Sequence, residues 1–309
     1  MKLINPVTYI NGNVKVTIDL ATGTKIRETE DDEFRPDFAE CCDVHISDLC
    51  DNGCEFCYAG CSLDGEFGEL INWKFFDTLH PYTEMAINLQ DPMPNDILVF
   101  LEKMKEKKII VNVTVNQNHF MRSMFRNDLE LFQKLGLIKG IGISLTNPTD
   151  EFIRLTKDFK NVVIHVINGI VTTEQLRKLA YHGMKILILG YKNIGRGSSY
   201  VEDPEVATHV RNRKGFLYWN IKFILENGWF DTVAFDNLAL DQLNMRRILT
   251  KEQWEEFYMG DDGTSTFFIN LVDGTFGKNS LTTKEERMPI GDKSIDEMFE
   301  IVKGGMISG

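Results

Sequence analysis

The sequence predicts an α/β fold: a partial, TIM-like (β/α)6 barrel with an N-terminal β-meander and a small α+β C-terminal extension. The first observation is that strand patterns alternate with helical patterns from residue 41 to residue 192, which is typical of a parallel sheet with right-handed crossovers. The second is the alternation of Val14, Val16 and Ile18 with polar residues between two turn signals. The third is a hairpin pattern around Asp273-Gly274.

The central region contains six predicted strand–helix units, too few for a closed eight-stranded barrel. The predicted strands are 42–47, 85–90, 109–116, 140–146, 161–168 and 185–191. The predicted helices lie near 72–79, 95–106, 120–135, 149–158 and 173–182. Asn95-Asp96, Thr149-Asp150 and Thr172-Thr173 are the expected helix starts, because their side chains accept hydrogen bonds from free backbone N–H groups.

Beyond the sixth strand the pattern becomes less regular. We expect a loop at 193–199, a helix at 213–227, a strand at 232–236, a helix at 250–258, a small β-region at 266–276 and a closing helix at 294–303. The predicted divisions are a meander and linker (1–40), a partial barrel (41–240) and the extension (241–309).

Polar residues occupy alternate positions along several of the predicted strands. Asn112, Thr114 and Asn116 share one face of their strand, because strand side chains point alternately to opposite sides. Asp43 and His45 do the same on the first strand. A polar inner face predicts an open lumen that holds a polar ligand; the alternative is that some of these residues face outward and bond to helix ends.

Charge and hydropathy exclude several classes of function. The formal net charge is −12 and the Lys and Arg residues form no tail, so we expect no general affinity for nucleic acid. No stretch has the apolar length of a membrane span, and the amino terminus lacks the apolar core of a signal peptide. The expected location is the cytoplasm.

All six cysteines lie between residues 41 and 61, which indicates one metal site in a reducing compartment. Cys50, Cys54 and Cys57 follow the first strand on a short loop, and Gly53 allows the loop to turn. Three thiolates on four irons leave one iron of a cubane cluster open. The alternatives are a zinc site that also includes Cys61, or a redox dithiol. We expect Cys41 and Cys42 to be packing residues and leave Cys61 unassigned.

The spacing C-x3-C-x2-C, with aromatic Phe56 before the last cysteine, closely resembles the signature of the radical S-adenosylmethionine (SAM) superfamily. The resemblance covers roughly residues 41–192. It implies a [4Fe–4S] cluster on Cys50, Cys54 and Cys57, with SAM chelating the open iron. It also implies reductive cleavage to a 5′-deoxyadenosyl radical, hydrogen abstraction from a substrate, and an electron donor such as a flavodoxin or ferredoxin.

The resemblance also implies which residues bind SAM. Phe56 would contact adenine, Ser144 the ribose or carboxylate, and Leu189 and Tyr191 the adenine ring. Where the family usually has a Gly-Gly-Glu-like motif this chain has Asn88-Leu89-Gln90, so Asn88 or Gln90 would bind the amino group through a carbonyl oxygen. The predicted cofactor-binding residues are Phe56, Tyr58, Asn88, Gln90, Ser144, Leu189, Tyr191, Lys192 and Arg196.

Lys192 and Arg196 enter that set because their cationic groups bind carboxylates and phosphates. The alternative for this segment is a solvated surface turn. Asp43, His45 and Tyr191 are the candidate catalytic residues, chosen from their predicted positions near the mouth of the barrel.

The C-terminal region resembles the SPASM/twitch extension of many radical SAM enzymes, but without its cysteines. That resemblance favours a peptide or protein substrate. Two alternatives stay open: a small polar metabolite or nucleotide as the substrate, and a non-enzymatic zinc-binding interaction module.

Overall fold

The computed structural model describes residues 3–304. The amino-terminal part forms the predicted meander, with strands β1 (Pro6–Asn11), β2 (Val14–Asp19) and β3 (Lys25–Glu28) in an antiparallel sheet. Gly12 has φ +61°, and a Cβ there would lie 2.0 Å from the carbonyl oxygen of Arg35. Glycine is therefore required at this turn by conformation and by space.

The rest of the chain is mixed α/β and is built on one large, mostly parallel ten-stranded sheet. Its strands are β4 (Cys41–His45), β5 (Glu84–Asn88), β6 (Ile110–Asn116), β7 (Gly140–Ser144), β8 (Val162–Ile167), β9 (Lys185–Leu189), β10 (Thr232–Phe235), β11 (Thr266–Asn270), β12 (Thr275–Gly277) and β13 (Met288–Pro289). The spatial order is β10-β9-β8-β7-β6-β5-β4-β11-β12-β13. The six predicted central strands are confirmed as β4 to β9. The first and last residues of each strand lie within two residues of the predicted positions.

Helices connect most of the parallel strands, and one more helix follows the last strand. They are α1 (Ile97–Glu106), α2 (Gln117–Met121), α3 (Ser123–Lys134), α4 (Asp150–Thr156), α5 (Thr173–Leu179), α6 (Arg196–Tyr200), α7 (Pro204–Glu226), α8 (Asn237–Gln242), α9 (Lys251–Phe257) and α10 (Ile295–Gly304), with 3₁₀ turns at Lys74–Thr78 and Met245–Arg247. Thr149 and Thr172 cap α4 and α5 through their side chains, as predicted. No helix within residues 3–304 is long and apolar enough to cross a membrane.

Two predictions about the segment after β9 were wrong. The loop expected at 193–199 contains the start of α6, and the helix expected from residue 213 begins at Pro204. Asp203 caps that helix by accepting hydrogen bonds from Glu205 and Val206. Proline at the first helical position has no N–H to leave unpaired, so this start follows ordinary capping rules.

The core lies between the sheet and its helices. On β6, Val111, Val113 and Val115 are fully buried in it, whereas Asn112 and Thr114 point to the opposite face and are half-buried. The alternation predicted for this strand is therefore present. On the polar side, a cavity of about 370 Å³ lies between the sheet and β2 of the meander.

Charged contacts and a strand pairing join the terminal regions to the central sheet. The Arg27 guanidinium donates to the Glu40 carboxylate at 2.8 Å, with both side chains nearly inaccessible to solvent. At the other end of the chain, β11 pairs in parallel with β4, and Phe268 lies opposite Asp43. The C-terminal strands thus continue the sheet beside the strand that leads into the cysteine loop.

Candidate functional site

The three motif cysteines lie on a loop at the carboxyl end of β4, which is where parallel α/β folds place their sites. Cys50, Cys54 and Cys57 are free thiols and half-buried. Gly53 has φ +62° and makes the turn between the first two. The backbone N–H of Cys50 donates to Ser62 at 2.9 Å and closes the base of the loop.

Arg196 holds the cysteine loop from the end of β9. Its guanidinium donates to the backbone oxygens of Cys54 at 3.0 Å, Gly60 at 3.0 Å and Cys61 at 2.8 Å. Its backbone N–H donates to Cys57 at 3.1 Å. The preceding Gly195 approaches so closely that a Cβ would lie 2.2 Å from the oxygen of Tyr58. Arg196 therefore binds the cysteine loop through three side-chain hydrogen bonds and one backbone hydrogen bond.

Asn118 and His119 of α2, together with Arg122 directly after that helix, hold the same loop from the opposite side. His119 Nε2 lies 2.8 Å from Asp51 Oδ1, and Arg122 forms an ion pair with Asp51 at 2.8 Å. The Arg122 hydrogen bond keeps the pKa of Asp51 below its usual range. Asn118 donates to Asn52 at 2.6 Å. Sequence reasoning missed these residues, although the polar run that follows β6 was a visible signal.

The three motif thiols differ in proton affinity. A hydrogen bond from the buried Cys61 thiol lowers the pKa of Cys57 to about 5. Burial raises the pKa of Cys50 and of Cys54. The Asn52 amide donates to Cys54 Sγ at 2.9 Å and opposes that rise. The Cys57–Cys61 pair therefore loses its first proton more readily than Cys50 or Cys54, and thiolates are the form that binds metal.

A cavity of about 150 Å³ opens beside the loop at the ends of the central strands. Phe56 and Ser144, both predicted to contact SAM, line it together with Asn116, His165 and Thr146. Burial lowers the pKa of His165 to about 4, so its imidazole is neutral at pH 7. The cavity therefore presents an aromatic ring and uncharged hydrogen-bonding groups.

The two candidates for the SAM amino group have different surroundings. Asn88 is fully engaged: its carbonyl oxygen accepts from the Ile46 N–H at 2.7 Å and its amide donates to Ser47 at 2.9 Å. Gln90 also donates to the Ser47 carbonyl oxygen, at 3.2 Å, but its Oε1 is buried and has no hydrogen-bond partner within residues 3–304. A buried acceptor without a donor is costly, so Gln90 is the one of these two residues that has unused acceptor capacity.

The remaining predicted binding residues surround the other end of the loop. Lys192 lies 3.9 Å from the centre of the Tyr58 ring and donates to Ser280 at 2.6 Å. Tyr191 is buried, and its hydroxyl donates to the Gly197 oxygen at 2.5 Å. Leu189 is half-buried at the end of β9. Lys192 therefore links the loop to the C-terminal region, and Tyr191 supports α6.

Of the other catalytic candidates, Asp43 and His45 both lie on β4. Asp43 is exposed to solvent. The protein atoms around it still desolvate its carboxyl group and raise its pKa, and the nearby Lys192 opposes this rise. His45 Nε2 lies 2.6 Å from Asp48 Oδ1. Cys42 packs in the core and Cys41 is half-buried on the other face.

The residues of this site fit a four-iron cluster and a SAM-like ligand. Three cysteines on one braced loop supply the thiolates that a cubane needs, and the loop offers them beside an open cavity. The unpaired Gln90 Oε1 supplies an acceptor for an ammonium group. No family model matches the chain, and no curated protein matches it.

Proposed function

We propose that this chain is a radical SAM enzyme that carries a [4Fe–4S] cluster on Cys50, Cys54 and Cys57. The observation that supports this most is the cysteine loop itself, held by Arg196 on one side and by His119 and Arg122 on the other. In this proposal β4 to β9 form a partial (β/α)6 barrel with the cluster at its mouth.

The chain's own residues have defined tasks in this proposal. Cys50, Cys54 and Cys57 hold three irons, and Phe56 and Ser144 line the cavity for the nucleoside part of SAM. Gln90 accepts a hydrogen bond from the amino group at its free Oε1. The reduced cluster, when bound, supplies the electron that cleaves SAM, and the protein binds, orients and excludes water.

The proposed substrate is a peptide or protein side chain. Support comes from the resemblance of the C-terminal region to a SPASM/twitch extension. Its strand β11 lies directly beside β4, the strand that leads into the cysteine loop. A small polar metabolite or nucleotide is the alternative substrate, which Asp43 and Lys192 would bind as charged groups. The enzyme would work in the cytoplasm with a flavodoxin or ferredoxin as electron donor.

The decisive experiment is anaerobic reconstitution with iron and sulfide, followed by iron analysis and EPR of the reduced protein with and without SAM. We expect about four irons per chain and an EPR signal that changes when SAM is added. Replacing any of the three motif cysteines by Ala should abolish both. Cys41→Ser is the matched control and should keep them. A chain that binds zinc and no iron would instead support the zinc-binding interaction module.

The substrate class is tested by the yield of 5′-deoxyadenosine. Peptide libraries and a panel of amino acids and nucleotides are added to the reconstituted protein in parallel. A yield that rises only with peptides supports the peptide substrate. A yield that rises only with small metabolites would replace it with the alternative.

A further inference from the structure

A second group of metal-binding side chains lies at the base of the cysteine loop. His45, Asp48 and Cys61 each offer one ligand atom, and all three atoms lie within 4.8 Å of one another. His45 and Cys61 are 7% and 6% exposed. None of the three belongs to the C-x3-C-x2-C motif. We propose that His45, Asp48 and Cys61 bind one divalent zinc-like cation, separate from the cluster.

The donor types select the metal. Imidazole, carboxylate and thiolate together suit Zn²⁺, whereas Mg²⁺ and Ca²⁺ prefer oxygen ligands alone. Zinc ligands lie roughly 2.0–2.3 Å from the ion, and so about 3.5 Å from one another in a tetrahedral site. The three ligand atoms lie within 4.8 Å of one another. His45 Nε2 and Asp48 Oδ1 are 2.6 Å apart as hydrogen-bonding partners, so this distance must lengthen when a cation binds, and Asp48, the more exposed of the two, has room to rotate. Three protein ligands leave the fourth position for water or another ligand.

The position of the three residues defines what the cation does. His45 and Asp48 precede the motif cysteines and Cys61 follows them, so a metal bond between the two sides closes the neck of the loop. The backbone already meets there, because Leu49 pairs with Ser62. A cation would add a cross-link to this contact and hold residues 50–57 in place. We call this cation with its ligands His45, Asp48 and Cys61 the metal clip; its role is structural, and it lies beside the proposed cluster.

The test uses the full-length chain with Cys50, Cys54 and Cys57 all replaced by Ala, so that no cluster can form. Co²⁺ is titrated anaerobically as a spectroscopic substitute for Zn²⁺, and the zinc content of the same protein is measured. We expect one Co²⁺ per chain, visible d–d bands of a four-coordinate ion, and a thiolate-to-cobalt charge-transfer band that Zn²⁺ abolishes.

Further substitutions in that background identify the ligands. Cys61→Ser should remove the charge-transfer band, and His45→Gln should weaken Co²⁺ binding by at least the 10–100-fold typical of even outer-shell losses. His80→Gln is the matched control. His80 also pairs with an aspartate, because its Nε2 lies 2.9 Å from Asp296 Oδ1, but it is not part of the proposed metal site. It should leave Co²⁺ binding unchanged. Asp48→Asn, at the more exposed ligand, keeps the test valid if the other variants misfold.

Two results would overturn the clip. One is the absence of stoichiometric Co²⁺ binding by the folded triple variant. The other is a charge-transfer band that persists after Cys61→Ser. Neither result would contradict the proposed cluster, because the cluster is tested separately, by iron content and EPR of the chain with its motif cysteines intact.

Discussion

Replacing Arg196 by lysine should loosen the cysteine loop while leaving the fold intact. The substitution keeps the positive charge, but an ammonium group replaces the planar guanidinium that now reaches three carbonyl oxygens. Lysine can retain about one of these bonds. Each hydrogen bond from a charged donor contributes about 1.5–3 kcal/mol, and water replaces part of the loss because the bond to Gly60 is exposed.

We therefore expect the free energy of opening the cysteine loop to fall by about 2–3 kcal/mol. This corresponds to a roughly 30- to 150-fold rise in the population of the open loop. Hydrogen exchange of the apo chain measures this directly, and the amide of Cys57 should exchange faster by that factor. After reconstitution, a chelator should remove iron faster from the variant. Arg211→Lys on the exposed face of α7 is the control. Wild-type exchange at Cys57 in Arg196→Lys would refute the assigned role of Arg196.

Three further predictions concern pH, ligand binding and helix capping. The native pKa of His165, about 4, lies below the roughly 6.5 of an unfolded histidine. The unfolded state therefore binds more protons between these values. As a result, the free energy of unfolding falls by up to about 2 kcal/mol when the pH falls from 7 to 5. His165→Gln should lose that part of the pH dependence in urea titrations; equal slopes would contradict it. Gln90→Leu should weaken SAM binding at least about tenfold in EPR titrations, because it removes a bond to a charged group, and an unchanged Kd would exclude Gln90. Thr172→Ala breaks the capping box with Gln175 and should cost about 1 kcal/mol in urea unfolding; a loss of several kcal/mol would mean another role.

Local patterns were enough for most of the central elements. Residues 110–116 alternate buried valines with polar residues, and Thr149 and Thr172 begin helices that the structure confirms. These features depend on neighbours within a few residues, so sequence alone reveals them. The start of α7 at Pro204 also has a local signal, because Asp203 caps the helix and proline favours the first helical position.

Contacts between distant segments could not be read in the same way. Arg196 contacts carbonyl oxygens about 140 positions earlier in the chain, and no local pattern encodes a partner so far away. The same applies to His119 with Asp51 and to β11 beside β4.

The sequence by itself determined the α/β alternation, the meander and the spacing of Cys50, Cys54 and Cys57, because each is a matter of local period or short separation. Only the tertiary structure decided that Cys61 lies beside Cys57 and within reach of His45 and Asp48. It also decided that Asn88 is occupied while Gln90 keeps a free acceptor. The physical reason is that a side chain's bonding capacity is a property of its type, whereas its partners depend on which strands and loops pack together.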